Sequence, residues 1–66
     1  MRDPARQRPL IERLYDVWHH FPDWRLGQLM FNLTGQFDVF YVEDEVLSDA
    51  LEAVRAGTHP TVRIPS

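Results

Sequence analysis

Cysteine and lysine are both missing from this 66-residue chain. Without cysteine there are no disulfides and no thiolate metal sites to stabilise so short a polypeptide. Stability must come from helix packing, from self-association, or from both. No apolar run approaches the ~20 residues of a membrane span, and the arginine-bearing start, Met1 to Pro9, is followed by no smooth apolar segment of signal-peptide type. A cytoplasmic protein is the expectation. Glycine is also scarce, and Gly27 stands alone without the spacing of a phosphate-binding loop. What is present is a globular composition, 44% apolar and 26% charged.

The formal charge of −3 conceals a polarity along the chain. Asp38, Glu43, Asp44, Glu45, Asp49 and Glu52 follow one another with no basic residue between them, whereas all seven arginines lie outside that stretch. A duplex-binding domain carries a basic stripe, and this chain concentrates acid instead. Direct nucleic-acid binding is therefore disfavoured, with Arg2, Arg6 and Arg8 of the N-terminal arm as its one foothold.

Periodicity divides the rest into three helices. From Pro9 to His20 the residues Leu10, Ile11, Leu14, Val17, Trp18 and Phe21 gather on one side, within an arc of ~120° at helical spacing. Pro22 stops that helix, and Asp23 suits the N-cap of a second one closed by Gly35. Leu26, Leu29, Met30 and Leu33 form its apolar face, while Trp24 and Phe31 project roughly opposite, near Gly27. A third helix begins near Glu43 or Asp44 and ends before Gly57, with Val46, Leu47, Ala50, Leu51, Ala53 and Val54 inward. Between the second and third helices, Phe37, Val39, Phe40, Tyr41 and Val42 read as a packed aromatic connector. The expectation is an all-α fold: one small three-helix domain over residues 1–57, with a basic arm at 1–8 and an extended tail at 58–66.

Catalytic arrangements are hard to find. Ser48 and Ser66 lack a nucleophile-elbow context, and the paired carboxylates lie on an outward helix face where nothing excludes water. His19 and His20 are adjacent, so their side chains diverge by about 100° and do not chelate one ion. No acidic loop of the calcium type is present, and no metal or cofactor is expected. Asn32-Leu33-Thr34 matches a glycosylation sequon but falls inside the second helix.

Eight aromatic residues exceed what one small core readily encloses. Trp18, Phe21, Phe37 and Tyr41 are expected to build the core. Trp24 and Phe31, off the main apolar arc, are candidate interface anchors, with Gly27 allowing close approach of a second backbone. Glu45, Asp49 and Glu52 form the other candidate surface, whose plain reading is a solvated face and whose sharper one is a dock for a basic partner.

Arg2-Asp3-Pro4, the helix ending in Trp18, Pro22-Asp23-Trp24-Arg25-Leu26-Gly27-Gln28-Leu29-Met30 and Phe40-Tyr41-Val42-Glu43-Asp44-Glu45 together resemble a group of short uncharacterised bacterial and phage proteins. The likeness covers about residues 2–52, departs at Trp24, where leucine is the pattern, and is most specific at Arg25 to Leu29. It implies no activity; it does imply a bacterial, phage or mobile-element setting, in which small proteins act by binding a host protein. The function expected is non-enzymatic protein–protein contact, as a homodimer or a small subunit or modulator. The alternative is an acidic inhibitor of a nucleic-acid-binding host enzyme.

Overall fold

The computed structural model describes residues 3–65, so Arg2 of the basic arm lies outside the described residues. In order the chain forms a 3-10 turn at Pro4–Arg6, a helix at Gln7–Trp18 (α1), a helix at Leu26–Thr34 (α2), a second 3-10 turn at Val39–Tyr41 and a helix at Asp44–Ala56 (α3). No strand occurs among the described residues, and the fold is all-α with three helices.

Local chemistry explains where each helix starts and stops. The Asp3 carboxylate accepts the Ala5 N–H at 2.9 Å and opens the first 3-10 turn, which runs straight into α1. The helix thus begins two residues before Pro9, which still sits in the first turn, where a missing N–H costs nothing. Its last turn tightens through His20 N–H to the Val17 carbonyl and Phe21 N–H to the Trp18 carbonyl, ahead of Pro22. Gly35 and Gly57 close α2 and α3 with φ of 74° and 77°, the left-handed conformation that glycine adopts without a Cβ penalty.

The start of α2 differs from expectation. Asp23 does not cap it; the helix begins at Leu26, and Arg25 occupies the N-cap position with its N–H donated to Gln28 Oε1 at 2.9 Å. Residues 21–24 are used otherwise. Trp24 N–H donates to the Phe21 carbonyl, the Trp24 ring stacks on Phe21 at 4.5 Å, and the Trp18 indole N–H donates to the Trp24 carbonyl at 2.8 Å. That folded link holds Trp24 outside the helix.

Val17, Leu29, Leu33, Leu47, Leu51, Val54 and Val62 make the core, with Leu10, Leu14, Trp18, Phe21, Trp24 and Met30 packed around it. Three residues placed inward by periodicity stay exposed: Ile11, Leu26 and Val46. Ile11 and Val46 stand at the margins of their apolar arcs, each roughly 80–140° around the helix from its most buried neighbours. Leu26 shares the side of Leu29 and Leu33 but is the first residue of its helix.

Two larger corrections concern the connector and the tail. Apart from Val42, which packs against the core, the connector is not packed. Phe37, Phe40 and Tyr41 are 90%, 83% and 73% exposed, because the Asp38 carboxylate accepts the Phe40 N–H and winds the segment into a tight turn on the surface. Of the four aromatics expected in the core, only Trp18 and Phe21 pack there. The tail, by contrast, folds back onto the helices. His59 and Val62 are buried, Ile64 is half-buried against the core, and the Arg63 guanidinium donates to the Gly57 carbonyl. The tail is held by its own chain.

Candidate protein-contact surface

The six residues expected to bind a partner fall into three places. On α2, Gly27 and Phe31 are one helical turn apart and share a side. Gly27 is open: a Cβ there meets nothing within 4 Å. Phe31 is half-buried and stacks on Phe37 at 4.3 Å between ring centroids, joining α2 to the connector. Trp24 does not belong to this group, being stacked on Phe21 and packed against the core.

The structure adds connector residues that aromatic density had assigned to packing within the chain. Phe40 and Tyr41 meet edge to face at 5.2 Å within the connector turn. Together with Phe37 they put three large aromatic side chains in water within five residues. The signal in the sequence was their density; what misled was the premise that so many aromatics must be enclosed.

On α3, Glu45, Asp49 and Glu52 are exposed. Glu52 is engaged: its Oε1 lies 2.9 Å from Arg13 Nε and 3.9 Å from Arg55 Nη1. Arg13 also donates to Ser48 Oγ at 3.1 Å, and Arg6 Nε meets Asp44 Oδ2 at 2.6 Å. Arg6 and Arg13 thus tie the first part of the chain to α3 and offset two of its carboxylates. No ion pair involves Asp38, Glu45 or Asp49 among the described residues.

Changing Glu45, Asp49 and Glu52 together to glutamine removes the Glu45–Asp49 repulsion at helical spacing, a gain of about 0.2–0.5 kcal/mol. It also removes the Glu52–Arg13 pair, which is half-exposed and contributes roughly 0–1 kcal/mol. The expected outcome is a thermal midpoint within a few degrees of the parent by circular dichroism. A collapse of the fold would show that the face carries structure.

Tyr15 stacks on His19 at 5.8 Å, and the His19 and His20 rings stand 6.4 Å apart, edge to face. No group of three potential metal ligands converges among the described residues. A depression of about 330 Å³ lies between the end of α2 and the tail, with Phe31, Gly35, His59 and Thr61 in its wall. His59 has no ring nitrogen to spare for a ligand: Nδ1 accepts the N–H groups of Thr61 and Val62, and Nε2 donates to the Leu33 carbonyl at 2.9 Å. No buried side-chain nitrogen or oxygen among the described residues lacks a hydrogen-bond partner. The described helices are also not long and apolar enough to cross a membrane.

No family model matches the chain, and no curated protein or solved structure matches it either.

Proposed function

We propose that this protein works by protein–protein contact, as a small non-enzymatic subunit or modulator in a cytoplasmic, bacterial or phage setting. The observation that carries the reading is the aromatic connector, with Phe37, Phe40 and Tyr41 each more than 70% exposed. Isolated apolar residues on a surface need no explanation, but clustered aromatics are costly in water and recur as interface anchors. Serine at all three positions keeps the core intact and removes the anchors. Affinity capture from an extract of the source organism, comparing parent and triple variant by quantitative mass spectrometry, tests the reading. Proteins retained by the parent and lost with the variant support it; identical captures overturn it.

A second reading, an acidic inhibitor of a nucleic-acid-binding host enzyme, draws on Glu45 and Asp49, which stand on one face of α3 without an ion-pair partner among the described residues. Its mark is capture that survives the serine variant and disappears when Glu45, Asp49 and Glu52 become glutamine.

A two-fold contact through Trp24, Gly27 and Phe31 is tested separately. With Trp24 engaged inside its own chain, sedimentation equilibrium at micromolar concentration is expected to give the mass of one chain. A Cβ at Gly27 meets nothing within 4 Å, so Gly27→Leu is expected to keep the fold. A two-chain mass that this variant lowers would restore the homodimer.

A further inference from the structure

We propose that the aromatic connector and the acidic start of α3 act as one surface, and that its occupant is a cationic amphipathic helix of another protein. This rests on the protein-contact reading and names the chemistry of the partner.

Apolar exposure alone does not choose an occupant; charge does. Asp38 lies inside the aromatic run, between Phe37 and Val39. Glu43, Asp44 and Glu45 follow directly on Val42, so residues 36–49 hold five acidic side chains and no basic one. Arg6 is spent on Asp44, and Arg13 reaches Glu52 further along α3. That leaves Asp38 and Glu45 with no ion pair among the described residues, on either side of Phe40 and Tyr41 in sequence.

A second copy is a poor occupant for such a patch. A two-fold contact centred on the connector brings two copies of the same acidic stretch together with no basic residue of 36–49 to offset them, and like charges in a desolvated contact oppose binding. An anionic lipid surface is opposed by the same carboxylates. A helix with leucine-type residues on one side and lysine or arginine beside them satisfies both features. Its apolar face covers Phe37, Phe40 and Tyr41, and its cations meet the acidic side chains and the faces of the exposed rings.

Three synthetic helical peptides of roughly 18 residues test this, sharing one leucine pattern and carrying lysine, glutamine or glutamate on the polar side. Binding is read by fluorescence anisotropy of the labelled peptide added to the full chain. The lysine peptide is expected to bind tightest, by roughly tenfold or more over the glutamine peptide at low salt. Its affinity is expected to fall as ionic strength rises from about 0.01 M to about 1 M and the Debye length shrinks from about 30 Å to about 3 Å. Serine at Phe37, Phe40 and Tyr41 is expected to weaken it roughly tenfold, since buried aromatic anchors dominate such contacts. Asp38→Asn with Glu45→Gln is expected to flatten the salt dependence.

Equal binding of the lysine and glutamine peptides, lost in the serine variant, overturns the cationic partner and leaves the aromatic contact reading standing. Lysine-peptide binding that ignores the serine substitutions reduces the interaction to bulk charge attraction and overturns the combined surface. Absence of binding by all three peptides also overturns it. Circular dichroism of each variant separates loss of the surface from loss of the fold, and the 73–90% exposure of the substituted aromatics places them outside the core.

Discussion

Leu29→Ala is expected to lower the stability of this protein by about 2–5 kcal/mol, the range for emptying a well-packed leucine site. Leu29 has no exposed surface and sits on α2, where that helix meets a core otherwise supplied mainly by α3, Val17 and the tail. A domain of this length holds on the order of 3–10 kcal/mol in total, at about 0.05–0.15 kcal/mol per residue. The substitution therefore consumes a large share of that stability, and urea denaturation at 25 °C measures it. An unchanged midpoint would mean that Leu29 is not enclosed. Leu26→Ala is the control: the same chemistry on the same helix, at a residue 42% exposed, is expected to cost far less.

His59→Ala is expected to detach the tail. One imidazole serves three backbone groups: Nδ1 accepts from Thr61 at 3.0 Å and Val62 at 2.9 Å, and Nε2 donates to the Leu33 carbonyl. Because Nδ1 accepts twice, the ring is neutral with its proton on Nε2, a tautomer assigned from the hydrogen-bond pattern. Truncation leaves those groups unpaired, at roughly 1–3 kcal/mol for each that stays buried. Release of the tail relieves that cost by returning Val62 to water, which forfeits about 1.5–3 kcal/mol of apolar burial. Either route destabilises the protein. His59→Asn is expected to be milder, since its side-chain carbonyl can take the place of Nδ1 for Thr61 and Val62. Hydrogen exchange at the Val62 amide reads the difference: fast in His59→Ala, slower in His59→Asn, slowest in the parent. Equal protection in all three would show that Val62 and Ile64 hold the tail without the histidine.

The contrast between connector and tail shows where the limits of sequence reading lie. Both were judged by composition. Aromatic and β-branched density argued for burial at residues 37–42, and two prolines without periodicity argued for an extended appendage at 58–66. The folded chain reverses the two, and the reason is what lies opposite each segment. Asp38 winds the connector into a 3-10 turn through a bond two residues away, so its conformation is local, and its rings stay largely exposed, with Phe37 stacked on Phe31 alone. The tail finds the carbonyl at the end of α2, 26 residues back from His59, and a gap beside α3 that Val62 fills. No window of sequence contains both ends of that contact.

The same division runs through the candidate surface. That Glu45, Asp49 and Glu52 form an outward face follows from helical spacing alone, and so does the shared side of Gly27 and Phe31. That Glu52 is tied to Arg13, that Trp24 belongs to its own core, and that Phe31 stacks on Phe37 all require two segments to meet in space.

By itself the sequence determined the helical class, the existence of three helices and the two glycine stops, because helix formation and termination rest on bonds a few residues apart and on the left-handed φ that glycine alone takes cheaply. Helical spacing also placed Val17, Leu29, Leu33, Leu47, Leu51 and Val54 inward, whereas tertiary structure alone decided which residues outside the helices would be enclosed. Burial is a property of the opposing surface, and three short helices with a returning tail can cover Leu29, Leu51 and Val62 but leave Phe37, Phe40 and Tyr41 to the solvent.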